Sequence, residues 1–190
     1  MIKELYICLA LLNMNGVVNQ NNICNNIQTI NNVSIEYNVD STLLVSLLWI
    51  ESGFNSNIVG YTGRACGISQ IIPRWSSDYN KYKSIKKKKA ERERVCNKLN
   101  SNTPFAIKES ARILSAYRTF YKNKRYYLCG YNKGYRCNKE NPKLLKSGLK
   151  YADEILKFQK RLKRQIRKER RGYKEISKIF VSVIKNLIIL

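Results

Sequence analysis

The sequence contains no histidine, and that one absence removes much of the chemistry open to a chain of this size. Ser–His–Asp and Cys–His nucleophile systems need an imidazole to take the proton, so in their ordinary form they are excluded. Zinc sites built on imidazole are excluded as well, and so is the side chain that most often acts as general base near neutral pH. Aspartate is scarce, three residues against ten glutamates. The cysteines stand at positions 8, 24, 66, 96, 129 and 137, and no two have the Cys-x-x-Cys spacing of a zinc ribbon or a thioredoxin-type site. No metal site is expected. Proton transfer in an enzyme of this composition falls to a carboxylate, tyrosine, lysine or cysteine.

What is present is a strong excess of positive charge: 36 Lys and Arg against 13 acids, a formal net charge of +23. At 44% hydrophobic residues the chain can still build a core, so global disorder is excluded. Its 190 residues suffice for one compact domain plus some tail. The charge calls for an anionic partner: nucleic acid, an anionic membrane face or an acidic wall polymer. The 21 asparagines, with abundant lysine and isoleucine, read as AT-rich coding and carry no function.

Along the chain, a charged start precedes the apolar run Leu5–Leu12, which is too short to span a membrane and reads as a short secretory signal or as an amphipathic first helix. Residues 13–33, rich in asparagine, read as a linker or loosely held lead-in. Asp40 or Ser41 then caps an apolar helix over Thr42–Ser52, stopped by Gly53. Four of the nine glycines fall between Gly53 and Pro73, which predicts a tight loop or small hairpin. Residues 81–94 carry eight Lys or Arg and two Glu, a solvated charged helix or loop. Asn102–Thr103–Pro104 opens a helix with an apolar stripe at Ile107, Leu114, Tyr117 and Tyr121, and another helix runs from about Tyr126 to Gly134. From Tyr151 onward the pattern is helical, with Ile155, Leu162 and Ile166 among the eleven basic residues of 150–174, and Ile176–Leu190 ends the chain as an apolar segment too short to cross a membrane. If the protein is exported, Cys66, Cys96, Cys129 and Cys137 can form two disulfides in any of three connectivities; otherwise they are small buried thiols.

One glutamate stands out, the other nine having polar surroundings typical of a surface. On a helix, Glu51 shares a face with Leu44, Leu47 and Leu48, at the carboxyl end of the most hydrophobic helix in the chain. The helix alone leaves two readings, a terminal Glu turned to solvent or one facing the leucines; in the second, desolvation and the negative end of the helix dipole both raise its pKa. A glutamic acid still protonated near neutral pH can hand its proton to a leaving oxygen, the task of the acid in glycosidases.

The sequence around Glu51 resembles the soluble-type lytic transglycosylases, with the goose-type lysozymes close by. The segments that carry the resemblance are WIESGFNSN at 49–57, GRACGISQIIP at 63–73, LCGYNKG at 128–134 and Tyr151 in KYADEIL, in the family's order. Gly67, Gln70, Pro73, Tyr131, Asn132 and Gly134 match, while Gly130 replaces the usual alanine and Ser69 stands where methionine is frequent. The resemblance implies a mainly α, lysozyme-like (α+β) domain over 34–156 with a small glycine-rich loop or hairpin region. A lead-in over 1–33 and a basic helical tail over 157–190 flank it. It implies Glu51 as sole catalytic acid and base on the bond between N-acetylmuramic acid and N-acetylglucosamine. Ser52, Ser69, Gln70, Tyr131, Asn132 and Tyr151 are implied as substrate-binding or supporting residues, with no metal and no cofactor. The implied partner is the glycan strand of peptidoglycan, at the cell envelope, secreted or virion-borne, and the tail is a candidate for virion or envelope assembly. Compact size and a basic tail lean toward a phage enzyme. A hydrolytic muramidase would share Glu51 and differ in its product. A basic non-catalytic virion or nucleic-acid-binding protein would explain the polybasic stretches, yet no nucleic-acid motif accompanies them and no specific nucleic acid is expected.

Overall fold

The computed structural model describes residues 2–60, 64–138, 140 and 142–188, with the side chains of 2–4 and 177–188 left out. Gly63, the first residue of the GRACGISQIIP segment, therefore lies outside the described residues, as do the side chains of the apolar C-terminal segment beyond Ile176. Among the described residues there are eight α-helices: α1 (Ile2–Leu12), α2 (Gln20–Cys24), α3 (Ile27–Glu36), α4 (Ser41–Ser52), α5 (Ile85–Ser101), α6 (Thr103–Phe120), α7 (Lys124–Lys133) and α8 (Pro142–Ile188). Short 3-10 turns occupy Pro73–Trp75 and Gly134–Arg136. The glycine-rich stretch is the small hairpin-like element, with antiparallel bridges from Val59 to Cys66 and from Cys66 to Ile71. The fold is mainly α and lysozyme-like.

Helix α4 is the centre of the core because it is apolar all round, which is the pattern of a helix surrounded by others. Leu43, Leu44, Val45, Leu47 and Leu48 are all buried. Asp40 caps it, accepting from Thr42 N at 2.8 Å and Leu43 N at 3.2 Å. Gly53, at φ 59°, ends it in the left-handed conformation that glycine adopts without penalty. Helix α8 packs along α4, inserting Ala152, Ile155, Phe158 and Leu162. There Phe158 stacks on Trp49 with ring centroids 5.4 Å apart, and Gln159 donates to Thr42 Oγ1 at 3.0 Å in the interior.

One expectation needs correction, and two others gain detail. The asparagine-rich stretch over 13–33 is no loose lead-in: Met14 and Val17, Ile23 of α2 and Ile30 and Val33 of α3 are buried in the same core. The asparagines sit at helix ends and outward positions, where their amides reach backbone carbonyls. Asn22 Nδ2 donates to Phe54 O at 2.8 Å and Asn19 Nδ2 to Gly53 O at 3.2 Å, holding the turn that follows α4. The basic segment from 157 continues α8 without a break, with Leu162 and Ile166 buried. Its cations occupy the outward face while every third or fourth residue stays apolar. The cysteines all pair, including the two at the amino end: Cys8–Cys24, Cys66–Cys96 and Cys129–Cys137. Cys66–Cys96 ties the glycine-rich loop to α5, and its 30-residue separation makes it the longest closure of the three.

Candidate active site

Glu51 occupies the last turn of α4, half-buried, with Leu44, Leu47 and Leu48 fully buried on the same face. Tyr151, a hundred residues away on α8, donates its hydroxyl to Glu51 Oε1. Burial pushes the Glu51 carboxyl up to about 7 from an ordinary 4.5, against the opposing pull of the Tyr151 hydroxyl. Burial, then the charges of Glu51 and Tyr131, push the Tyr151 hydroxyl well above its usual range, so it stays a donor. Tyr131, from α7, is raised as well, first by burial and then by the Glu51 charge, which places it beside the carboxylate.

The glycine-rich loop forms the floor. Ser52 Oγ donates to Ile68 O at 2.8 Å, joining the end of α4 to the loop, and Tyr131 Oη donates to Ser69 O at 3.0 Å, joining the loop to α7. Gly67 is forced there twice over. Its φ is +74°, and a Cβ would stand 2.3 Å from Leu99 O at the end of α5. Gln70 also takes a left-handed backbone, φ 46°, and its Nε2 donates to Ile58 O and Gly67 O, so this amide nitrogen holds the loop together. Asn132 is exposed on the last turn of α7.

Among the expected groove residues Ser69 differs most. Its side chain is fully buried and its hydroxyl donates to Ala106 O at 2.9 Å, so it carries the loop onto α6 and offers no contact to a ligand. A serine in place of a larger apolar residue fits this role, because a small side chain can turn inward and find a carbonyl.

Two glutamates expected at the surface are buried. Glu109 accepts from Ser77 N at 2.7 Å, from Ser77 Oγ at 2.6 Å and from Arg112, while Arg112 also donates to Trp75 O. Burial raises the Glu109 carboxyl, but Arg112 and Ser77 outweigh it and hold it below the usual carboxylate range. Glu91 accepts from Asn80 N and from Arg94, which holds it down at about 2. Both acids pin the segment after Pro73 to α5 and α6. Each has an arginine three residues on, the one local sign that a helical carboxylate is paired; the loop that covers it leaves no trace in the sequence.

Asp78, the first acid after Glu51 in the chain, is paired with Arg94 at 2.8 Å and Lys98 at 3.1 Å. A cavity of about 340 Å³ lies at the other end of α4, against Asp40, Arg118, Lys124 and Tyr127, and does not include Glu51. Among the described residues no cluster of three or more Cys, Asp or Glu side chains is arranged to hold a metal ion.

Residues 28–153 match the family model for the transglycosylase SLT domain. No curated protein and no solved structure matches the chain. The matched span runs from α3 into α8 and holds Glu51, the floor loop, Tyr131 and Tyr151. A match over well more than half of the chain, on the segment that holds the raised carboxyl of Glu51, makes this protein a member of the transglycosylase SLT domain family.

Proposed function

We propose that the chain is a lytic transglycosylase. Glu51 alone carries the proton transfers, cutting the β-1,4 bond between N-acetylmuramic acid and N-acetylglucosamine and leaving 1,6-anhydro ends. Family membership carries the coarser activity, cleavage of glycosidic bonds in peptidoglycan. The observation that supports the finer reading is a single desolvated carboxyl with a pKa of about 7, while the next acid in the chain, Asp78, is neutralised by two cations.

Near neutral pH a large fraction of Glu51 is protonated, with Tyr151 fixing Oε1. The acid proton passes to the glycosidic oxygen as the bond from the muramic C1 breaks. The acetamido oxygen of the same sugar stabilises the positive charge at C1, a substrate-assisted route that needs no second carboxylate. Glu51, now a carboxylate, takes the proton from the 6-hydroxyl, whose oxygen closes on C1. The glutamic acid is regenerated and no water is consumed. Exposed Asn132 is suited to hold an acetamido or hydroxyl group of the strand. The action belongs at the cell envelope, by a secreted or virion-borne protein, and three disulfides fit an oxidising setting.

Digestion of purified peptidoglycan, with the soluble fragments weighed, tests this reading. Fragments lacking one water per cleaved bond support transglycosylation, and reducing ends indicate a muramidase instead. No fragments from the wild type, or equal release by Glu51→Gln, sinks the assignment.

Tyr151→Phe probes the support of the acid. Losing a hydrogen bond that favours the carboxylate raises the Glu51 pKa further. The alkaline limb of the rate profile is expected to move to higher pH, while kcat falls by up to about 100-fold as the carboxyl loses its fixed position. An unmoved limb would show that the tyrosine does not act on Glu51.

A further inference from the structure

We propose that Phe120, Tyr121 and Tyr135 form a sugar-stacking platform that grips the glycan strand beyond the bond cut at Glu51. This rests on the reading of the chain as a peptidoglycan-cleaving enzyme and extends its site along the strand.

The starting point is Gly130, where the family pattern has alanine. A Cβ at this position would stand 2.8 Å from Tyr121 Cε2 and 2.9 Å from Tyr117 Cδ1. The missing methyl group is what lets these two rings lie against α7. From there the aromatic contacts run outward. Tyr117 meets Tyr121 at 6.3 Å and Tyr135 at 5.3 Å between centroids, and Phe120 meets Tyr121 at 4.7 Å and Tyr135 at 4.9 Å. The inner ring, Tyr117, is buried, whereas Phe120 is 60% exposed and Tyr135 is 56% exposed. An apolar ring cluster built inward and left open outward, on a chain of net charge +23, marks a contact surface.

The cluster is also held in place. Tyr121 Oη donates to Gly134 O at 3.3 Å, and the Cys129–Cys137 disulfide closes the turn that carries Tyr135. Rings fixed before binding lose little freedom when a ligand stacks on them. Tyr135 follows Tyr131 by four residues and Asn132 by three, and Tyr131 is hydrogen-bonded to the floor loop beside Glu51. The platform thus packs on Gly130 and Gly134, the residues that flank Tyr131 and Asn132 in the chain. A pyranose ring presents an apolar C–H face to such rings, and a glycan strand supplies one at every residue. Lys122 and Arg136, both exposed, flank the rings and suit the carboxylates of stem peptides.

The test is binding by the full chain carrying Glu51→Gln, so that no strand is cut. Calorimetric titration with chitohexaose and with chitobiose compares a long and a short uncharged glycan. Phe120→Ala with Tyr135→Ala is expected to weaken chitohexaose binding about tenfold and leave chitobiose binding unchanged. Tyr135→Phe and Phe120→Tyr should retain the wild-type difference between the two ligands. Both side chains are largely exposed, and a thermal melt of each variant checks that the fold is kept; Phe120→Ser alone, with a loss confined to chitohexaose, would support the same conclusion. Unchanged chitohexaose binding, or equal loss for both ligands, overturns the platform. Should the wild type release no peptidoglycan fragments while these variants still weaken chitohexaose binding, the cleavage reading fails and the platform stands.

Discussion

Replacing Glu51 by glutamine is expected to stabilise the protein above pH 7 while removing its activity. The carboxyl has a pKa of about 7 in the folded chain against an ordinary value of 4.5. Between these values the folded state keeps a proton that the unfolded state has released. Stability therefore falls as pH rises through the window, and the full cost is present above it. A difference of about 2.5 pKa units corresponds to up to about 3 kcal/mol. Glutamine has the same shape and keeps an oxygen to accept from Tyr151, but it carries no charge to desolvate. Urea unfolding at pH 8 should show Glu51→Gln more stable by up to about 3 kcal/mol, and at pH 4 the two proteins should be nearly equal. Fragment release should drop by about a thousandfold, within the range for loss of a general acid. An equal stability change at both pH values would mean that the carboxyl is not desolvated in the fold. A polar group kept at a cost to stability is what an acid tuned for neutral pH requires.

Gly67→Ala is expected to be strongly damaging. The new Cβ would meet Leu99 O at 2.3 Å and Leu99 C at 2.9 Å, both backbone atoms of α5 that cannot swing aside. The position also has φ +74°, which costs an L-residue about 1–2 kcal/mol. Overpacking adds about 1–3 kcal/mol, for a total of about 3 kcal/mol. Relief requires the loop to lift off α5, and the loop supplies Ile68 O to Ser52 and Ser69 O to Tyr131. Both ties beside Glu51 would shift, so activity should collapse beyond what the lost stability explains. Gly16→Ala makes the control: its φ is +80° but nothing lies within 4 Å of the added Cβ, so only the backbone cost remains and activity should persist. Thermal melts with fragment release on the same samples separate the two effects. Wild-type activity in Gly67→Ala would show that the loop does not support the site.

Much of the site was legible before any tertiary contact was known, and for a local reason. Asp40, the leucines and Gly53 specify α4 and its ends within one stretch of chain, because capping and periodicity act over a few residues. The same periodicity put Glu51 on the leucine face. Composition misled where it was read without geometry. Asparagine suggested a linker at 13–33, yet a few apolar residues at helical spacing sufficed to anchor α2 and α3, and the amides found carbonyls beyond α4. In the basic segment past residue 157, by contrast, Leu162 and Ile166 were legible at helical spacing, and both are buried.

By itself the sequence, with no histidine and one glutamate among leucines, singled out Glu51 as the carboxyl on which the proposed proton chemistry rests. Only the tertiary structure decided how that acid is tuned. Tyr151 reaches it from a hundred residues away, and the fold encloses it enough to bring its pKa to about 7. The fold alone also buried Glu91 and Glu109 under a loop, paired all six cysteines, and laid two tyrosine rings on Gly130. Desolvation and ring packing depend on which distant segments meet, and no window of local sequence contains that information.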